Sequence, residues 1–306
     1  MALKYKLAKL ICRFLPPILA QSVRNFIISI EEGEKLHLDF KKKSFTGSYF
    51  IGNTSDFHAF KFSIHGYFDW RNVVITNEVL KYKKGGDVVE VGANIGTETL
   101  SFCDVAKKYK SQVFAFEPVS SNMEVVIKNK IENNLENLTT FTCLVSNRNG
   151  KSYFNLPKGN NSGSGFISHS KNIENTELNV VALDTILIDK NISLICIDVE
   201  GFEYQVLQGS ENLVKKYKPV LILEVNTKYL EKRGQVKFKE FYNYIIDLGY
   251  SCYSIHKLGI SKVDFDNFQI QANKNWVCIE NENHTLVKRL NDRLVKFALS
   301  PFIHIN

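Results

Sequence analysis

The chain has 306 residues, enough for one large core, and 44% hydrophobic with 23% charged residues is ordinary for a soluble globular protein. A net charge of +7 is mild; it favours acidic partners such as phosphorylated sugars, nucleic acid or anionic lipid, although solubility alone accounts for it. Six scattered cysteines without a C-x-x-C pair exclude a cysteine metal site, and they read as reduced, mostly buried thiols of a cytosolic protein.

Residues 1–30 contain no acid and carry Lys4, Lys6, Lys9, Arg13 and Arg24. Leu3, Leu7, Leu10, Ile11 and Phe14 share one helical stripe, which Pro16-Pro17 ends. Arg13 and the proline pair interrupt any secretory signal, and no stretch approaches the about 18 apolar residues of a membrane span. The stripe suits either a peripheral membrane or partner-docking helix, or a helix packed on the protein's own body or a dimer mate. Residues 36–76 alternate apolar and polar, with Phe57 to Trp70 rich in aromatics, and predict short strands turning at Gly47, Gly52 and Gly66. This N-terminal extension, 1–76, would form a lid, small β layer or dimer element. Tyr67, Asp69 and Trp70 would line a cleft or pack in the core. A helix follows over Asn77 to Lys83.

The stretch Gly86-Asp-Val-Val-Glu-Val-Gly-Ala-Asn-Ile-Gly-Thr97 reads as a buried strand, a glycine turn and a helix from Glu98. Gly92 and Gly96 leave room for backbone to approach a ligand, and the new helix offers free N–H groups. The spacing fails the dinucleotide fingerprint and gives acidic-x-Gly-x-x-x-Gly instead, with Glu90 on the strand. That pattern resembles the first motif of Rossmann-like S-adenosylmethionine-dependent methyltransferases. The resemblance implies that Glu90 faces the methionine part of the cofactor and that Gly92, Ala93, Asn94, Gly96 and Thr97 pass beneath it.

Gln112 to Pro118 is a second strand ending in Glu117, a carboxylate placed to accept hydrogen bonds from both ribose hydroxyls. After a helix over Ser121 to Glu132, Leu138 to Val145 predicts a third strand, with Ser146 at the adenine edge. Residues 146–180, notably Asn160-Asn-Ser-Gly-Ser-Gly165, suit a mobile loop over the site or a hairpin between edge strands. Leu194 to Ile197 form another buried strand, whose end is bracketed by Asp198 and Glu200. Gly201 turns the chain into a helix, and the strand Pro219 to Asn226 again carries an acid, Glu224. Carboxylates gathered at neighbouring strand ends cost stability unless something binds them. Phe238 to Gly249 predicts an amphipathic helix. Tyr250 to His256 and Asn275 to Glu280 predict the closing antiparallel pair, with Lys257 to Asn273 as a substrate-side insertion. Residues 284–299 predict a basic amphipathic helix with Leu286, Leu290, Leu294 and Phe297 on one face.

Taken together, Val91-Gly-Ala-Asn-Ile-Gly96, Ala115-Phe-Glu-Pro118, Leu183-Asp184, Ile197-Asp-Val-Glu-Gly201 with Glu203, Leu207 and Gly209, and Pro219 to Glu224 resemble the FkbM-type methyltransferase family. The resemblance covers about residues 77–250. It implies an α/β, Rossmann-like class I methyltransferase sheet of seven mostly parallel strands within 77–283, flanked by the N-terminal extension and a C-terminal helix and tail at 284–306. It further implies S-adenosyl-L-methionine as methyl donor and a hydroxyl acceptor, often on a sugar, another glycan part or a natural product. Cys196 departs from the family, which commonly has Lys before Ile-Asp-Val-Glu-Gly.

The expected chemistry is direct displacement, in which the protein aligns a hydroxyl and removes its proton. Asp198, Glu200 and Glu224 are the candidate bases or orienting groups. Asp198 and Glu224, with Asn226, could instead hold Mg2+ or Mn2+, which oxygen ligands suit. His58, His65, His169 and His256 are further candidate bases. Competing readings are an NAD-dependent oxidoreductase, against which the glycine spacing and the Asp198/Glu200 cluster argue, and a non-catalytic methyltransferase-like partner protein. Nucleic acid is not an expected partner, because no aromatic-basic track or base-flipping motif is present. The basic terminal helices suit contact with the cytoplasmic face of a membrane, a homodimer or each other.

Overall fold

The structure, a computed structural model, describes residues 1–157, 159–168, 171, 175–265 and 273–300. Helix α1 (Ala2–Cys12) stops short of Pro16-Pro17, and α2 (Pro17–Ile27) begins on the second proline, where a missing N–H costs nothing. A capping box closes the start of α3 (Ile30–Glu34): Ser29 Oγ accepts from the Glu32 N–H, and the Glu32 carboxylate accepts from the Ser29 N–H.

A two-stranded antiparallel sheet follows, β1 (Asp39–Lys43) and β2 (Tyr49–Asn53). Beyond it the chain departs from the strands expected over Phe57 to Trp70. Helix α4 (Phe57–His65) is capped by Asp56, whose carboxylate accepts from the N–H of His58 and Ala59, and Gly66 ends it in the left-handed conformation. Phe60 and Ile64 pack with Tyr5 of α1, whereas Ala59 and Phe62 join the main core. A helix with two buried faces gives the alternation that imitates a strand. Asp69 caps α5 (Trp70–Lys83), which therefore starts seven residues before its expected position. Tyr67 and Trp70 are core residues, and Asp69 pairs with Arg71.

Strand β3 (Asp87–Val91), α6 (Thr99–Lys107), β4 (Val113–Phe116), α7 (Ser120–Glu132) and β5 (Leu138–Phe141) form one side of the main sheet with its connecting helices. The expected third strand divides here: β5 pairs with β4, and β6 (Leu144–Val145) leaves to join β7 (Gly150–Asn155), β8 (Phe166–Ser168) and β9 (Asn175–Val181) in a second sheet ordered β6-β9-β7-β8. After α8 (Leu183–Ile186) come β10 (Ile192–Ile197), α9 (Glu203–Gln208), α10 (Glu211–Tyr217), β11 (Val220–Asn226), α11 (Thr227–Lys232) and α12 (Phe238–Asp247). Strands β12 (Tyr250–His256), β13 (Gly259–Lys262) and β14 (Asn273–Glu280) and helix α13 (His284–Leu299) complete the described chain.

The main sheet is eight-stranded, ordered β13-β12-β14-β11-β10-β3-β4-β5. Strands β3, β4, β5, β10 and β11 run parallel, and β14 is antiparallel to β11 and β12. The eighth strand, β13, is a short edge in the segment expected as a substrate-side insertion; it pairs with β12, and Asn291 of α13 accepts from its Ile260 N–H. Alternate residues of each central strand enter opposite cores. Val89, Ile195 and Leu221 pack beneath α9, α10 and α12, whereas Val88, Leu194 and Ile222 pack with α5, α6 and α13. Glu78 of α5 pairs with Arg289 and Arg293 of α13. All six cysteines are free, five of them buried. No helix among the described residues is long and apolar enough to cross a membrane.

The chain reverses its direction of strand addition between β3 and β10. That junction leaves a crevice at the carboxyl ends, where open α/β sheets bind ligands.

Candidate functional site

A cavity of about 290 Å³ opens there, at the low end of ligand-pocket sizes. Its floor begins with the turn after β3. Gly92 has φ +90°, and a Cβ on it would stand 1.9 Å from the Asp198 carbonyl oxygen. The glycine therefore serves close approach of two strand ends. Gly96, at φ +83°, faces Val126 of α7. The N–H groups of Gly92 and Ala93 both donate to the Phe116 carbonyl, which ties the turn to β4. Gly92 and Asn94 line the cavity, while Ala93, Gly96 and Thr97 are buried and do not. Glu90 is also buried away from the lining. It accepts a 2.6 Å hydrogen bond from Thr99 Oγ1, and burial pushes its pKa up to about 8.

Glu117 follows β4 and reaches the cavity wall with Pro118. Its carboxylate accepts from the N–H groups of Asn94 and Val119, each at 2.9 Å, and from Asn122 Nδ2 at 3.3 Å. Burial raises its pKa to about 7 against the opposing pull of those donors. Cys143, Leu144, Val145 and Phe154 give the adjacent wall an apolar face. Ser146 lies beyond that wall and lines a second cavity, because its backbone N–H is drawn into the small sheet by the Val181 carbonyl.

The ends of β10 and β11 supply three more carboxylates. One oxygen each of Asp198, Glu200 and Glu224 lies within 4.8 Å of the others, and all three line the cavity. Asp198 is open to the cavity yet ringed by protein; this enclosure, with Glu224 hydrogen-bonded beside it, pushes its pKa well above the carboxylate range. Glu200 has φ +56°, and its carboxylate accepts from Arg233 Nη1 at 2.9 Å. Burial and Glu224 raise Glu200 to about 7 against the pull of Arg233. The Arg233 guanidinium is itself held over the rings of Tyr229 and Phe166.

Other motif residues hold backbone. Glu203 accepts from the N–H groups of Gly201 and Val199, and Asp184 accepts from those of Asn212 and Leu213. The Asn226 side chain caps α11 by accepting from the Tyr229 N–H. Cys196 is buried in β10, in register with Glu90 on β3.

The roof comes from α4 and from the Asn160 to Gly165 stretch, which the sequence offers as a loop over the site or a hairpin. Phe57, His58 and Phe68 line the cavity together with Asn161, Ser162, Gly163 and Gly165. The loop is pinned across the opening at both sides: the Phe57 N–H donates to the Asn160 carbonyl, and Asn122 Nδ2 donates to the Ser162 carbonyl. Asn94 Nδ2 meets His58 Nδ1 at 3.1 Å, which leaves the imidazole proton on Nε2. Burial lowers His58 to about 4, so it is neutral at pH 7. His65 stacks on Tyr67 and His256 pairs with Ser261, neither at the cavity, and His169 lies outside the described residues. Two buried polar atoms at the cavity, Asn94 Oδ1 and Ser162 Oγ, have no hydrogen-bond partner among the described residues. Such atoms suit a ligand that brings its own donors.

The family model for the methyltransferase FkbM domain matches residues 90–252, just over half of the chain. An FkbM methyltransferase from Methylobacillus flagellatus KT is similar in structure, with 16% identity and a TM-score of 0.43; the match covers 85% of this chain and 60% of that one. A precorrin-6y C5,15-methyltransferase from Geobacter metallireducens matches at 12% identity and TM-score 0.36, over 68% of this chain and 84% of its own. The fibrillarin pre-rRNA processing protein of Methanococcus jannaschii matches at 16% and 0.38, over 64% and 67%. The chain thus spans about 60% of the length of the Methylobacillus protein. No curated protein matches it.

Proposed function

The chain belongs to the FkbM methyltransferase family, and we propose that it is an S-adenosylmethionine-dependent O-methyltransferase acting on a hydroxyl of a sugar or glycan precursor. The observation that carries this reading is the sharing of one cavity by Glu117 and the Asp198/Glu200/Glu224 group. Glu117 accepts ribose hydroxyls with the lone pairs that Asn94, Val119 and Asn122 leave free. The apolar wall from Cys143 to Val145 suits a flat base, and the unpartnered Asn94 Oδ1 receives a ligand donor. When bound, the cofactor supplies an electrophilic methyl group.

The chain's own task is to orient the acceptor oxygen and take its proton. The Asp198, Glu200 and Glu224 carboxyls stand together at the cavity, where a hydroxyl placed against them is oriented and gives up its proton. Arg233 fixes Glu200 beside them, and the roof loop with His58 keeps bulk water from the reacting oxygen. The same three carboxylates form an oxygen-only donor set that suits magnesium or manganese, a second use of the cluster.

The test is methyl transfer from labelled S-adenosylmethionine to a panel of free and nucleotide-activated sugars, with and without magnesium, in wild type and Asp198→Asn. We expect transfer to at least one hydroxyl acceptor and a fall of about 10²-fold or more in kcat for the variant. Transfer retained in Asp198→Asn would remove that residue from the chemistry. Activity abolished by chelation and restored by magnesium would assign the cluster to a metal instead.

A further inference from the structure

Helix α1 carries two apolar faces, and the protein uses only one. Tyr5, Ala8 and Cys12 are buried, with the Tyr5 ring 6.4 Å from that of Phe60 on α4. Leu3, Leu7, Leu10, Ile11 and Phe14, which make the larger apolar stripe, all face outward, and Leu3 is 80% exposed. The neighbouring α2 repeats the arrangement: Ala20 and Arg24 are buried, while Leu19 and, two turns on, Phe26 are exposed, Phe26 to 92%. Outward apolar side chains on two successive helices amount to more than the scattered exposure of an ordinary surface.

We propose that the helix pair α1–α2 is a docking element that lies in the interface of an anionic lipid bilayer. Charge identifies the occupant. The first 30 residues contain no aspartate or glutamate. Helical periodicity sets Lys6, Lys9 and Arg13 along one margin of the exposed stripe and Lys4 along the other. Lys4 is engaged by Glu32, which leaves Lys6, Lys9 and Arg13 to meet lipid phosphates while their stems lie along apolar surface. A second copy of this face would bring cations against cations, which disfavours self-association through the stripe. Helix α1 has 11 residues, a length of about 16 Å, so it lies on a membrane and does not span one. It packs on α4, whose first turn gives Phe57 and His58 to the cavity, so the docked surface stands one helix from the site.

The test is co-sedimentation of the intact chain with vesicles of about three parts phosphatidylcholine to one part phosphatidylglycerol, and with pure phosphatidylcholine vesicles. It does not depend on methyl transfer. We expect binding to the anionic vesicles at least about tenfold tighter than to the neutral ones, weakening as salt is raised. Leu7→Glu with Leu10→Glu is expected to lose at least about tenfold in vesicle binding with unchanged thermal melting, because both side chains face outward. Lys6→Glu with Arg13→Glu is expected to lose the anionic preference. The proposal is overturned if wild type sediments with neither vesicle, if neither variant changes its binding, or if light scattering shows a dimer that the leucine variant dissociates.

Discussion

The floor and the roof of the cavity are built differently. The floor is the carboxyl edge of parallel strands, where the turns after β3, β4 and β10 are joined by backbone hydrogen bonds such as Gly92 to Phe116 and Asp198 to Val91. Side chains at that edge are fixed by strand spacing. The roof is assembled from α4 and residues distant in sequence, held by single bonds such as Asn160 to Phe57 and Ser162 to Asn122. A rigid floor suits the part of the chemistry that a whole family shares. A roof held by a few local bonds can be rebuilt around a different acceptor without disturbing the sheet.

The largest expected effect follows from breaking the floor. Gly92→Ala would force a Cβ into the Asp198 carbonyl at positive φ, and we expect it to cost about 3 kcal/mol or more of stability. Unchanged chemical denaturation would contradict the close approach described here.

A smaller effect is expected from pH, and it separates the floor's buried acids from ordinary ones. Glu117 and Glu200 are raised to about 7, and Glu90 and Glu203 to about 8. Between their unfolded and folded values the folded chain holds more protons, so stability falls as pH rises from about 5 to about 8. The melting temperature should fall by roughly 5 °C over that window. S-adenosylhomocysteine affinity should move the opposite way, rising through pH 7, because ribose donors favour the ionised Glu117. A melting temperature that climbs over the same window would show that these acids are stabilised by ionisation.

The smallest effect is expected at the roof. His58→Gln should raise KM for the acceptor several-fold while leaving S-adenosylhomocysteine affinity within about twofold. An equal loss of both would move His58 from the acceptor side to the cofactor side.

The floor was readable from residues because each of its devices is local. Val88, Val89 and Val91 announce a strand, Gly92 its turn, and Glu117, Asp198 and Glu224 each close or follow an apolar run. Parallel pairing then brings separate strand ends together without further information. The roof was readable only in parts, as a loop around Asn160 to Gly165 and a candidate His58, because Phe57, His58 and Phe68 meet Asn161 and Ser162 through tertiary contacts between segments some hundred residues apart. Misreadings share a cause as well. Helix α4 imitates a strand because it is buried on two faces. Ser146 leaves with β6 for a second sheet that composition showed only as a Gly/Ser/Asn-rich stretch.

Calorimetric titration of S-adenosylhomocysteine into wild type and Glu117→Ala tests the central claim most directly. Micromolar binding to wild type and a loss of about 10²-fold in the variant, the worth of hydrogen bonds to a charged acceptor, are expected. Absence of binding to wild type, or equal binding to both proteins, would contradict it.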